Sequence, residues 1–177
     1  MQQLRKIRQG RVPSLENRVQ NGLSMWQTEM RDLDSSGKAV CGRVIALSGA
    51  LTQLFNDVLA EFDLKYPEYG VLATLRASGA PYSMSQKQLL ETILFSSGGM
   101  SNLLTRLERR GFIERFSDDG DRRITHVRLT DRGIETAGKA MPIQSEAENT
   151  LYETLSAEEK KALIGALSKL LDTASYL

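Results

Sequence analysis

The sequence predicts a mainly helical fold with one small β-element, an α+β chain, and three observations carry that expectation. Apolar residues recur every three or four positions through most of the chain. Two short runs between residues 113 and 129 alternate instead. Serine or threonine caps stand before several of the periodic stretches. With 41% hydrophobic and 25% charged residues the composition is that of an ordinary soluble domain. No apolar run approaches the roughly 20 residues that cross a bilayer. The basic start, MQQLRKIRQGRV, is followed by no signal-peptide core, so a cytoplasmic location and no membrane partner are expected.

Between residues 15 and 30, Leu15, Val19, Leu23, Trp26 and Met30 form one helical stripe, and DLDSSGK at 32–38 reads as a turn. A long helix is expected from about 39 to 62, where Val40, Val44, Leu47, Leu51, Leu54, Phe55, Val58 and Phe62 keep a helical period. That stripe is too broad for one neighbour, so the two leading helices ask for burial outside a compact core. Pro67 suits the first turn of the next helix, where a missing amide hydrogen costs little, and Tyr69, Leu72, Ala73 and Leu75 continue inward. SGAPYS at 78–83 reads as a loop. Ser85 and Gln88 form a capping box opening a short helix that carries Leu89, Leu90, Ile93 and Leu94.

After a turn at Phe95 and Ser96, Ser96 or Ser97 caps a further helix, which Gly111 ends. Strands are expected at 113–116 and 124–129 around a polar turn. In the second, Thr125, Val127 and Leu129 alternate with His126 and Arg128, as in a half-buried strand. Thr130 caps a helix expected to bend near Pro142. Ser156 with Glu159 opens the last helix, whose stripe is Leu163, Leu167, Leu170 and Leu171. Five helices, a strand, a polar turn, a strand and two helices make the centre of the chain a winged helix-turn-helix.

Net charge is only +1, so the chain as a whole is no polycation. Its distribution says more. Residues 97–132 carry eight basic side chains, all arginine, against six acidic, whereas 133–177 carry seven acidic against four basic. Arginine suits phosphate forks and minor-groove insertion better than lysine does. The plain alternative is a normally solvated surface.

In the helix expected at 97–110, Met100, Leu103, Leu104 and Leu107 fall at i, i+3, i+4 and i+7 and face the core. The opposite face shows Gly98, Asn102, Thr105, Arg106 and Arg109, with Ser101 at its margin. It holds no large apolar group and no carboxylate, since Glu108 lies to one side. Such a face can approach a major groove, its arginines offering forked donors to guanine or phosphate. Ser97, Gly98 and Gly99 at the helix start would let backbone amides reach a phosphate. In the turn SDDGDRRI, Asp121 would hold an arginine, Arg122 or Arg123, extended into a narrow minor groove. The alternatives are a solvated helix face and a charged hairpin tip.

The run from 84 to 133 resembles the DNA-binding lobe of the multiple antibiotic resistance regulator (MarR) family. Two motifs carry the likeness: L-x-R-L-E-x-x-G before the first strand, and Asp121, Arg123, Leu129, Thr130 and Gly133 through the wing. The flanking helices match in number and order, so the likeness covers nearly the whole chain. It implies a homodimer whose amino- and carboxy-terminal helices interlock, which would explain the surplus apolar stripes. It implies double-stranded DNA as partner, read at two half-sites of a pseudo-palindrome about one helical turn apart. It also implies a small-molecule effector whose binding lowers DNA affinity. The corresponding division is 1–62 and 133–177 for dimerisation and 63–132 for DNA binding.

The extra leading helix is similar to the urate-responsive branch of the family, whose pocket uses a tryptophan, an aspartate and two arginines. Trp26 and Arg115 occupy two of those places, Gly70 and Leu103 the other two. The polar core of a urate site is missing, and a less polar, aromatic effector fits the altered lining better. Trp26 by itself reads first as a core residue. Cys41 stands at a distance from Tyr66 and Pro67 similar to that of the reactive cysteine in the hydroperoxide-sensing branch, but it reads as inert and buried, with thiol redox sensing as the alternative.

One cysteine and one histidine, His126, leave no disulfide framework and little material for metal or acid–base chemistry. No nucleophile–base spacing and no phosphate-binding loop of an enzyme is present, so neither catalysis nor a cofactor is expected. A winged helix that binds protein rather than DNA is the competing class, and salt dependence separates the two.

Overall fold

Ser14 opens the first helix because its hydroxyl accepts the Asn17 amide hydrogen at 3.1 Å, satisfying one of the amides that a helix start leaves unpaired. The computed structural model describes residues 13–93, 99–117 and 124–175. The chain separates into two units, Met1–Gln53 and Leu54–Leu177.

In the first unit, helix α1 (Leu15–Glu29) precedes α2 (Ser36–Leu59), whose last turns belong to the second unit. Helix α2 begins inside the segment 32–38 that the sequence marks as a turn. The Asp34 carboxylate accepts both the Ser36 amide and hydroxyl, at 2.9 and 3.0 Å, and so starts the helix three residues earlier than expected. It also ends earlier, at Leu59, and a 3-10 turn covers Ala60–Phe62. The two helices meet through Arg43 and Glu16 at 2.6 Å, Gln27 and Ser35 at 3.2 Å, and Lys38 Nζ 3.8 Å from the centre of the Trp26 ring. Helix α1 buries no residue, and Trp26, Val40, Val44, Ile45 and Leu47 are exposed. Trp26, first read as a core residue, therefore lies open on this chain, its ring face taken by Lys38. Cys41 is exposed too, which corrects the expectation of a buried thiol. The residues covered here follow Ala39, Gly42, Arg43 and Ala46, and Cys41 lies off that line.

In the second unit the core gathers Leu59, Leu64, Val71, Leu72, Leu75, Leu89, Leu104, Leu107, Phe112, Val127 and Ala137. Helix α3 (Tyr66–Ala77) carries Pro67 in its first turn as expected. Tyr66 packs on Phe55 at 4.8 Å between ring centres and donates its amide to Asn56 at 2.9 Å. Burial, with Glu148 and Tyr66 adding to it, pushes the Tyr69 phenol up to about 12, so it stays protonated at neutral pH.

The loop expected at 78–83 gives way to a strand the sequence did not show. Strand β1 (Ser83–Ser85) pairs with β3 (Thr125–Leu129), Met84 opposite Val127, and β3 pairs on its other side with β2 (Ile113–Ser117). The sheet is antiparallel in the order β1-β3-β2. Three residues reading Ser-Met-Ser are too short a run for their alternation to mark a strand, and the strand forms where β3 offers an edge to pair with. Ser85 then caps α4 (Gln86–Thr92), with the capping box formed as expected.

Helix α5 (Met100–Arg109) ends at Gly111, whose φ of +72° is where glycine is favoured. Helix α6 (Asp131–Tyr152) starts from Thr130, which accepts the Gly133 amide at 3.1 Å, and runs on through Pro142. Gly133 has no room for a side chain: a Cβ there would strike the Phe112 carbonyl oxygen. Helix α7 (Ala157–Ala174) follows the Ser156–Glu159 capping box and buries no residue. No described helix is long and apolar enough to cross a membrane.

Candidate nucleic-acid interface

Helix α5 sorts its side chains as its periodicity requires. Met100, Leu103, Leu104 and Leu107 are buried in the core of the lobe, and this alone turns the opposite face outward. Ser101, Asn102 and Arg109 are exposed and enter no hydrogen bond or ion pair among the described residues. Thr105 is half-buried and accepts a long bond, 3.4 Å, from Arg115 Nη2. Gly99 precedes the helix at its cap position, with open space around it. Ser97, Gly98, Asp121, Arg122 and Arg123 lie outside the described residues.

Two carboxylate–guanidinium clusters flank this face. On one side Glu108 accepts Arg115 Nε at 2.9 Å and Nη2 at 2.5 Å, and the Arg115 amide as well, at 3.2 Å. The Arg115 bonds hold the Glu108 carboxyl below the usual glutamate range despite some desolvation. The only carboxylate on α5 is therefore neutralised by the first strand of the wing, and Arg115 is committed to that task.

On the other side stands Glu68, in the first turn of α3 and buried. Its Oε1 accepts Arg106 Nε at 2.7 Å and Arg110 Nη1 at 3.0 Å, and its Oε2 accepts the Lys65 amide at 2.8 Å. Arg110 also reaches Asp63, through both its carboxylate and its carbonyl oxygen. Burial pushes the Glu68 carboxyl up, but the Lys65 amide and the two guanidinium groups outweigh it and leave it below the ordinary range. With Ala60, Leu64 and Lys65 these groups line an open cleft of about 440 Å3.

Sequence reasoning placed Arg106 on the reading face but missed Glu68, Arg110 and Asp63. Glu68 stands three residues after Lys65, where a glutamate can cap a helix, and that local signal was available. Its pairing with arginines 38 and 42 residues later has no local signal at all. Of the four positions matched to an effector site, Leu103 is a core residue, Gly70 is half-buried on α3 and Arg115 is bound to Glu108. Trp26 belongs to the other unit. His126, the one histidine, is half-buried and stacks on Phe116 at 5.5 Å on the outer face of the sheet. Among the described residues no group of acidic, histidine or cysteine side chains could hold a metal.

Comparison with known proteins agrees with this geometry. A family model described as the MarR family matches residues 62–124. The HTH-type transcriptional regulator PecS of Dickeya dadantii is 31% identical over 154 residues, which cover 85% of this chain and 93% of that one. MepR of S. aureus, solved as a complex with DNA, superposes with a TM-score of 0.67 at 29% identity over 72% of this chain and 92% of that one. AbsC of Streptomyces coelicolor, described as a MarR family transcriptional regulator, shares the fold, with a TM-score of 0.72 at 23% identity over 82% and 97% of the two chains. A winged lobe with an open polar helix face, together with a relative this similar across nearly its full length, makes the chain a member of the MarR family of DNA-binding transcriptional regulators.

Proposed function

We propose that the protein works in the cytoplasm as a homodimeric repressor of a neighbouring gene, reading a pseudo-palindromic operator with two copies of α5 and leaving it when a small aromatic effector binds. The observation that carries the DNA half is the outward face of α5. Ser101, Asn102 and Arg109 stand exposed and uncommitted among the described residues, and Glu108, the carboxylate that α5 itself carries, is neutralised by Arg115. A helix of this kind docks its small polar residues on base edges and its arginines on guanine or phosphate. Arg122 and Arg123 extend the contact into the minor groove in this reading, with Asp121 steadying one of them. The homodimer is supported by the bare apolar residues of α1 and α7, which need a cover. In this division 63–132 bind DNA, and 1–62 and 133–177 join the subunits. The effector is taken to be weakly polar because Gly70 and Leu103 stand where a urate pocket has charged groups.

Fluorescence anisotropy on the duplex upstream of the protein's own gene, against a scrambled duplex at two salt concentrations, tests the reading. Tight, selective and salt-sensitive binding is expected. Equal, weak binding to both duplexes would leave two readings, an operator elsewhere or a winged helix that binds protein. Arg123→Ala should weaken operator binding by more than about tenfold while the dimer persists, as for loss of a minor-groove arginine.

The exposure of Cys41 favours a second reading, thiol-based redox sensing. A Cys41→Ser protein that still releases DNA on peroxide treatment would end it.

A further inference from the structure

The Glu68 cluster does more than hold the lobe together. Arg106 departs from Arg109, the other arginine of α5, in how it is held. Its Nε is bonded to a buried carboxylate at 2.7 Å, yet the side chain remains 55% exposed. An arginine gripped at Nε keeps both terminal nitrogens for another partner, in a plane the grip has already chosen. The carboxylate that grips it is itself fixed, because its other oxygen accepts the Lys65 amide at the start of α3. On the helical wheel of α5, Arg106 lies between the outward Asn102 and Arg109 and the buried Leu103, at the rim of the reading face rather than its centre. A rim position meets the sugar–phosphate wall of a groove before it meets base edges.

We infer that Glu68 is the positioning residue for DNA binding, fixing Arg106 by its Nε so that the two terminal nitrogens clamp a backbone phosphate beside the reading helix. The inference rests on the reading of α5 as the DNA-reading helix. Glu68 itself touches no DNA. Its negative charge would by itself oppose binding, and its role is to remove the freedom of a long side chain before the phosphate arrives.

That opposition supplies a test with a sign. Glu68→Gln keeps the size and the acceptor for the Lys65 amide, and it makes the protein more positive. Pure electrostatics then predicts tighter binding, whereas loss of positioning predicts weaker binding. Anisotropy titrations with the upstream duplex and its scrambled control should show Glu68→Gln about fivefold weaker on both, as expected for an undirected phosphate contact. Arg106→Ala should be at least as weak, with its salt slope reduced by about one. The double variant should be no weaker than Arg106→Ala alone, because Glu68 acts through that residue. Arg110→Ala, which removes another Glu68 partner but leaves Arg106 held, should bind within about twofold of the parent even though the fold is destabilised. Unchanged or tighter binding by Glu68→Gln overturns the inference, and so does a double variant whose loss is the product of the single losses. If Arg106→Ala binds like the parent while Asn102→Ala and Arg109→Ala lose affinity, the clamp is wrong and the reading helix stands. If all three bind like the parent, the proposed function falls with it.

Discussion

Helices α5 and α7 carry apolar stripes of similar spacing, yet their leucines end in opposite surroundings. All four stripe residues of α5 are buried, with Leu104 and Leu107 at 0% exposure. Helix α7 buries nothing, and Leu171 stands 68% exposed, with Ile164, Leu167 and Leu170 also open. The same helical pattern is satisfied by the chain itself in one case and left unsatisfied in the other. Each square ångström of apolar surface left in water forgoes about 25 cal/mol. A run of open leucines on one helix is thus a surface waiting for a cover. Within one polypeptide, the lobe that carries α5 closes on itself, while the last helix does not.

Substitutions in the two helices sharpen that contrast. The largest effect is expected from Leu104→Ala, which empties a fully covered site; urea denaturation should show a loss of about 2–5 kcal/mol. Gly133→Ala comes next, because its methyl group must displace the Phe112 carbonyl next to the Thr130 cap. An overpacking cost of up to about 3 kcal/mol should appear in the same assay. Leu170→Glu with Leu171→Glu should cost the isolated fold no more than about 0.5 kcal/mol each, as for exposed positions. In sedimentation, however, the pair should turn the proposed dimer into a monomer. A variant that sediments like the parent would mean that the α7 stripe is plain surface, and the comparison with α5 would lose its point.

The smallest effect is expected in acid. Glu68 is held below the usual glutamate range in the folded chain, so its contribution is fully present above that range and is lost as pH falls through the lowered value. Glu68→Gln should therefore flatten the acid limb of the stability curve and leave neutral and alkaline behaviour unchanged in shape. An acid limb identical in both proteins would show that the folded and unfolded states bind the Glu68 proton alike.

Much of the lobe was legible because its signals are local. The Ser85–Gln88 and Ser156–Glu159 boxes, the Thr130 cap and the glycine after α5 each act within four residues, and all formed as read. The inward and outward residues of α5 followed from its period alone. What escaped depended on distant partners. Strand β1 needs an edge more than 40 positions away, and Glu68 is defined by Arg106 on α5 and Arg110 just after it. Cys41 was misplaced for a related reason. In α2 the covered line passes through small and polar residues such as Ala39, Gly42 and Arg43, while Val40, Val44 and Leu47, which a hydrophobic count would turn inward, are exposed.

By itself, then, the sequence determined the kind and order of the helices, the two strands of the wing, the buried face of α5 and the family. Each of these depends on periodicity, capping or a short motif, and those act over one or two helical turns. Only the tertiary structure decided which arginine of α5 is held and which has no partner among the described residues, that a third strand completes the sheet, and that the long apolar stripes lie bare on the chain. These depend on which distant groups come within 3 Å or 4 Å of one another, the reach of a hydrogen bond or a packed contact, and no local pattern encodes such a meeting.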